Sequence, residues 1–158
     1  MGLFKKKGKI LYAMANGQSV PIESVPDEVF STKMMGNGIA IVPEDGNLYA
    51  PCDGEISMVM EHTLHAVGLV NDDGMEILLH IGLDTIELMG EGFRAHVSQG
   101  DYVHAGDLLI DYDKEFINEK KINDITMLVI VEENGHTPIA YHIQPLVQAK
   151  TSKLIEYK

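Results

Sequence analysis

The chain has 158 residues, a formal net charge of -12 and a single cysteine, Cys52. This length fits one domain, the negative charge argues against nucleic acid as a partner, and one cysteine cannot form an internal disulfide. No apolar run is long enough to cross a bilayer. We therefore expect a cytoplasmic protein with a flexible N-terminal segment at 1–19 and one domain at 20–158.

The first residues combine apolar side chains with a run of lysines at positions 5 to 7. Such a segment can contact an anionic membrane surface. It is short and contains Gly8, which favours a frayed tail. We keep peripheral membrane contact through the N-terminus as an alternative expectation.

Short apolar runs separated by turn signals follow along the chain. Strands are predicted at 39–42, 48–50, 56–60, 63–70, 75–81 and 127–131, and the tail from 137 to 158 adds a strand or two. Asn71-Asp72-Asp73-Gly74 is a strong hairpin signal between the fourth and fifth of these strands. The only predicted helix covers 114–122, with Asp113 as its N-cap. Short strands at this spacing predict an all-β fold, an antiparallel sandwich or barrel-like single domain with at most short helical turns.

Two histidines lie in these apolar strands, at positions 65 and 80. The two-residue period of a strand places His80 opposite an apolar face that fills the core. That face consists of Met75, Ile77, Leu79 and Ile81. The same period groups His65 with Val67 and Leu69, and we expect both imidazoles to point outward. An imidazole nucleophile at neutral pH most often attacks phosphorus or carbonyl carbon, whereas the alternative is a pair of structural histidines.

Five blocks of sequence together resemble a known family. They are PDEVFSTKMMGNGIAIVP at 26–43, YAPCDG at 49–54, LHA at 64–66, LHIGLDT at 79–85 and GEGF at 90–93. The family is the glucose-type enzyme IIA domains of the bacterial phosphoenolpyruvate-dependent sugar phosphotransferase system. The resemblance implies a free-standing enzyme IIA type 1 domain, which we expect to be a monomer. The chain from Asn134 onward fits the pattern poorly.

The resemblance also implies roles for particular residues. His80 would accept a phosphoryl group from the phosphocarrier protein HPr and pass it to a cysteine of a sugar-specific enzyme IIB. His65 would stabilise the transferring charge, and Thr63 would hydrogen-bond within the pair. The docking face would include two acidic and two apolar residues. These are Asp27, Asp84, Val29 and Phe30.

Imidazole chemistry agrees with these roles. A neutral imidazole has one N–H donor and one acceptor nitrogen. We expect the Gly82 carbonyl to accept from His80, which fixes the other nitrogen as the nucleophile. No metal or cofactor is needed, because the donor is already a phosphohistidine. Asp84 can pair with an arginine of a partner.

Alternatives stay open at this point. His80 and Asp84 have the His-x-x-x-Asp spacing of some zinc hydrolases, although the His-x-His pair of those enzymes is missing. His65 and His80 can also act as zinc ligands within a partner complex. A non-catalytic regulatory binding module is a further alternative. Phe30 can be an ordinary core residue instead of a docking residue.

Overall fold

The computed structural model describes residues 9–158, which form thirteen strands and two short α-helices. The strands are β1 (Lys9–Tyr12), β2 (Gly17–Pro21), β3 (Asn37–Pro43), β4 (Asn47–Tyr49), β5 (Gly54–Val59), β6 (Ala66–Asn71), β7 (Glu76–Ile81), β8 (Phe93–Ala95), β9 (Tyr102–Val103), β10 (Leu108–Tyr112), β11 (Thr126–Glu132), β12 (Pro138–Tyr141) and β13 (Lys153–Tyr157). The helices are α1 (Glu28–Ser31) and α2 (Lys114–Glu119). Two 3-10 turns cover Ile22–Ser24 and Thr85–Leu88.

The strands form three sheets in which every strand pair is antiparallel. The largest has the order β2-β3-β11-β7-β6-β5-β9, and the smaller ones have the orders β1-β13-β12 and β4-β10-β8. The end strands of the largest sheet, β2 and β9, do not pair with each other, so this sheet stays open. The prediction of an all-β antiparallel sandwich with short helices is confirmed.

Both faces of the seven-stranded sheet are covered by apolar side chains. One face packs against the two smaller sheets in the main core, to which β6 and β7 contribute Val67, Leu69, Ile77, Leu79 and Ile81. The opposite face carries a smaller cluster, which includes Ile22, Phe30, Ala66, Leu78, Leu83 and Met127. The 3-10 turn at Ile22–Ser24 and helix α1 supply the first two of these side chains. The candidate functional site lies on this second face.

The predicted elements of the central region agree with the structure. The turn at 71–74 joins β6 to β7, and Asn71 Oδ1 accepts hydrogen bonds from Asp73 N and Met75 N at 3.1 and 2.9 Å. Asp113 caps α2 as predicted, because its side chain accepts from Phe116 N, although the helix ends at Glu119. The expectation that this is the only helix is wrong. Helix α1 is a single turn whose N-cap, Asp27, accepts from Val29 N at 2.9 Å.

The predicted boundary between a flexible segment and the domain is wrong for residues 9–19. Strand β1 pairs with β13, and Leu11, Ala13 and Met14 are fully buried. The partner strand lies at the other end of the chain, so the local pattern carried no sign of this pairing. The expected membrane contact involves residues 1–8, which lie outside the described part of the chain. No helix within 9–158 is long and apolar enough to cross a membrane.

Candidate functional site

A pocket of about 430 Å³ opens on the second face of the seven-stranded sheet. Six of the residues predicted from the sequence line it: His65, His80, Asp27, Asp84, Val29 and Phe30. They come from positions 27 to 84 of the chain and meet because β6 and β7 are neighbouring strands in the middle of this sheet and α1 packs on the same face. The structure therefore brings six of the eight predicted site residues together in one pocket, whereas Thr63 and Gly82 do not line it.

Strand β7 holds His80 rigidly. Its chain neighbours Leu79 and Ile81 are fully buried in the main core, so the two-residue period turns His80 to the opposite face. The residues paired with His80 are Ala66 on β6 and Met127 on β11. The small side chain of Ala66 leaves room above the sheet, and His80 lies half-buried in the resulting pocket.

His65 reaches the pocket by a different route from the one expected. Val67 and Leu69 point into the main core, so the two-residue period would also send His65 there. The regular strand, however, begins only at Ala66, and Leu64 before His65 has a left-handed backbone with φ 55°. The His65 ring lies edge-on to that of His80, with 4.8 Å between ring centroids. The expected grouping of His65 with Val67 and Leu69 is therefore wrong, and His65 is 4% exposed rather than outward-facing.

The surroundings keep both imidazoles neutral at pH 7. The pKa of His80 is lowered to about 4, mainly by burial and also by the neighbouring His65, while the Gly82 backbone and Asp27 act in the opposite direction. Burial also lowers the pKa of His65. A neutral imidazole keeps a free lone pair, which is the property that a nucleophile needs.

The turn after β7 is tightly constrained at Gly82. Its backbone has φ 76°, and a Cβ atom there would lie 2.5 Å from Thr85 Cγ2 and 2.9 Å from the Asn123 carbonyl oxygen. The Gly82 N–H donates to the Ile125 carbonyl at 2.8 Å, so its own carbonyl is the group free to accept from His80. That carbonyl raises the pKa of His80, yet His80 Nδ1 is buried without a partner at hydrogen-bond geometry. The two groups are therefore close enough to interact, but their geometry falls short of a regular hydrogen bond.

Thr63 and His65 each have a buried polar atom without a partner. Thr63 is 7% exposed, and neither its Oγ1 atom nor His65 Nδ1 makes a hydrogen bond. The expected hydrogen bond from Thr63 within the histidine pair is thus absent in this structure. Thr63 Oγ1 can donate as well as accept, so it is chemically suited to either tautomer of a nearby imidazole.

The docking face has a different composition from the expected one. Val29 is 40% exposed at the rim, but Phe30 is only 5% exposed. The Phe30 ring packs on His80 with 5.0 Å between ring centroids. The expectation that Phe30 is an exposed docking residue is therefore wrong, since it forms a wall of the pocket and belongs to the second apolar cluster.

Sequence reasoning missed the apolar residues that complete the pocket. They are Met35, Met58, Met60, Leu78, Leu83 and Ile86. The position of Leu78 could be predicted from the sequence, because it lies two residues before His80 on the same strand face. The methionines had no such signal, since their positions depend on how α1 and the end of β5 lie against the sheet.

The donor set does not suit a zinc hydrolase. A catalytic zinc ion takes three protein ligands, and residues 9–158 contain no group of three or more histidine, cysteine or acidic side chains placed to hold a metal. Two imidazoles in an apolar pocket are instead suited to nucleophilic attack and to stabilisation of negative charge.

Comparisons with known proteins agree with the fold and with the family that the sequence resembles. Residues 9–135 match the family model described as the phosphoenolpyruvate-dependent sugar phosphotransferase system, EIIA 1. Among solved structures, glucose permease IIA from Mycoplasma capricolum is similar, with a TM-score of 0.86, 31% sequence identity and alignment over 97% of both chains. The chain belongs to the EIIA 1 family, and it is a phosphocarrier component of the sugar phosphotransferase system.

Proposed function

We propose that this protein accepts a phosphoryl group on His80 from phosphorylated HPr and passes it to a cysteine of a sugar-specific enzyme IIB. The observation that carries the proposal is the imidazole pair, with 4.8 Å between ring centroids in a pocket with apolar walls. Family membership supplies the reaction class, phosphotransfer. The roles of individual residues follow from the chemistry of the pair.

The attacking atom is Nε2 of His80. Its Nδ1 atom is buried, so Nε2 is the ring nitrogen that faces the pocket. The Nε2 lone pair attacks phosphorus while the N–P bond of the donor phosphohistidine breaks, and the donor imidazole leaves with that electron pair. In the second step, a cysteine thiolate of enzyme IIB attacks the same phosphorus and His80 leaves.

His65 stabilises the charge that spreads over the phosphoryl oxygens in both steps. Phosphoryl transfer depends mainly on positioning and electrostatic stabilisation, and a ring N–H beside the nucleophile supplies both. Because burial lowers the pKa of His65, it acts as a neutral donor and not as a fixed cation. Thr63 is the proposed partner that sets its tautomer, since its hydroxyl has no other hydrogen bond.

The apolar rim excludes water, which limits hydrolysis of the phosphohistidine. Asp27 and Asp84 border the rim, and the whole chain carries a net charge of -12. A basic face on each partner would therefore be attracted to this side of the molecule. The proposed transfer uses no cofactor. A zinc ion shared by His65 and His80 is a separate proposal, in which the partner supplies the remaining ligands.

The proposal is tested by labelling with phosphoenolpyruvate, enzyme I and HPr. We expect one acid-labile phosphoryl group on His80 of the wild type, located by mass spectrometry, and none on His80→Ala. His104→Ala is the control, because the His104 side chain is 72% exposed and lies outside the pocket, and this variant should label fully. Full labelling of His80→Ala would refute the assignment. Adding an enzyme IIB with and without its cysteine then tests the second transfer.

A further inference from the structure

Seven of the eight methionines in residues 9–158 fall into two groups by exposure. The first group is fully buried and consists of Met14, Met75 and Met127. The second group is exposed, by 74% at Met34, 38% at Met35, 38% at Met60 and 69% at Met89. Met58 lies between the two groups and is partly buried. Methionine is an apolar residue, so four exposed methionines in one small domain require a physical explanation.

All four exposed methionines lie at or beside the His80 pocket. Met35 and Met60 line it directly, and Met34 is the chain neighbour of Met35. Met89 follows the 3-10 turn at Thr85–Leu88, whose first two residues line the pocket. The next residue, Gly90, packs so closely on the His62 carbonyl that a Cβ atom would lie 2.1 Å from its oxygen. Since Met89 precedes Gly90 and His62 lies two residues after Met60, this contact places Met89 near Met60.

A thioether rim suits a surface that must fit two different partners. Methionine is unbranched and polarizable, so it repacks against faces of different shape. The same sulfur atoms are open to two-electron oxidants, and oxidation turns a flexible apolar side chain into a polar one. Exposed methionines react and buried ones do not. Oxidation therefore modifies the methionines at the rim of the pocket and spares those in the core.

We propose that Met35 and Met60 are sites of reversible oxidation to methionine sulfoxide, and that this modification blocks docking of the phosphoryl donor at the His80 pocket. The inference rests on the proposed function, since it needs a partner that docks on this rim. The oxidant class is hydrogen peroxide or an organic hydroperoxide, and reversal uses the two stereospecific sulfoxide reductases with a thiol reductant.

The step is balanced with respect to atoms and electrons. A lone pair of the thioether sulfur attacks the terminal oxygen of the hydroperoxide, the S–O bond forms and the O–O bond breaks. The departing oxygen takes up the proton and leaves as water or as an alcohol. Sulfur is oxidised by two electrons and the peroxide is reduced by two. His80 takes no part in the step.

The effect on docking follows from burial of the new polar group. A partner that reaches His80 must cover the side chains that line the pocket, including Met35 and Met60. A sulfoxide oxygen covered without a hydrogen-bond donor loses its hydration, which is unfavourable. Met34 and Met89 are more exposed but do not line the pocket, so their sulfoxides stay hydrated and leave docking unaffected.

The experiment treats this protein alone with graded hydrogen peroxide and removes the peroxide before HPr is added. Peptide mass spectrometry should locate sulfoxide at the four exposed methionines and not at Met14, Met75 or Met127. Single-turnover transfer from phosphorylated HPr should fall roughly tenfold, a loss typical of one interface anchor. Treatment with both reductases should restore the rate.

Two double variants separate the proposed sites from the other exposed methionines, each compared with its own untreated sample. Met35→Leu/Met60→Leu should lose little of its rate on oxidation. Met34→Leu/Met89→Leu should lose as much as the wild type, although it lacks the two most exposed methionines. The reverse pattern, or equal losses in both, overturns the inference while transfer by the untreated proteins still supports the proposed function. If the untreated wild type accepts no phosphoryl group, the proposed function fails and the inference fails with it.

Discussion

The neutral state of His80 makes a quantitative prediction about stability and pH. Burial and the neighbouring His65 lower the pKa of His80 to about 4 from an ordinary value of 6.5. Between these two values, the unfolded chain binds a proton at this position and the folded protein does not. The free energy of unfolding therefore falls as the pH drops below 6.5, and the loss is complete below pH 4.

The size of this loss follows from the shift. At about 1.4 kcal/mol per pKa unit, the full difference corresponds to roughly 3 kcal/mol, of which about 2 kcal/mol is lost by pH 5. Replacing His80 by glutamine removes the titrating group. His80→Gln should thus lose about 2 kcal/mol less stability than the wild type between pH 7.5 and pH 5.

Denaturant unfolding of both proteins at the two pH values measures this double difference. Titrating groups outside the pocket are shared by the two proteins, so their contributions cancel. An NMR titration of the His80 ring gives the pKa directly, and His65→Gln should raise it, because His65 is the second cause of the shift. A measured pKa near 6.5, or equal pH-dependent losses in the two proteins, would refute the reasoning.

The remaining predictions concern the walls of the pocket. His65→Gln should keep the fold and slow single-turnover transfer by roughly 10²–10³-fold, the loss seen when one charge-stabilising donor is removed. Unchanged rates of phosphoryl transfer in both directions would assign His65 a structural role. Phe30→Ala should lower the free energy of unfolding by about 3 kcal/mol, because the ring is 5% exposed and packs on His80. Val29→Ser is its matched control, since Val29 is 40% exposed and should change stability by no more than about 0.5 kcal/mol while weakening HPr binding in calorimetry. Wild-type stability of Phe30→Ala would contradict its place in the pocket wall.

The hairpin that carries His80 could be predicted from the sequence because its signals are local. The turn at 71–74 fixes the register of β6 and β7, and a strand with one apolar face must turn His80 to the other. Local signals also placed the cap of α2 at Asp113. For these elements, the information lies within a few residues of the structure that it determines.

Other features depend on contacts between distant parts of the chain, which a local pattern does not contain. Strand β1 pairs with β13, about 140 residues further along the chain, so its few apolar residues by themselves predicted a flexible segment. Phe30 follows an acidic turn and looked like a surface residue, but α1 lies against the sheet and buries its ring. In both cases, tertiary packing determined the outcome.

His65 shows why the second half of the pair was harder to predict than the first. The alternation of a strand holds only while the backbone stays extended, and Leu64 leaves that region with φ 55°. Leu64 packs against the main core, and the next residue, His65, turns to the other face to meet His80. The break in alternation is therefore what forms the pair, since a regular strand would bury His65 in the core.

The pocket combines a histidine in a fixed position with rim side chains that can repack. His80 lies on a central strand, and its neighbours in sequence are fully buried, so its position is fixed by the main core. Ala66 opposite His80 is small enough to leave a cavity, and the register of β6 and β7 keeps it there. The exposed part of the wall comes instead from side chains that repack easily, such as Met35 and Met60. The proposed transfer between two partners needs a fixed nucleophile and a rim that adjusts, and under that proposal the strands provide the first and the methionine side chains provide the second.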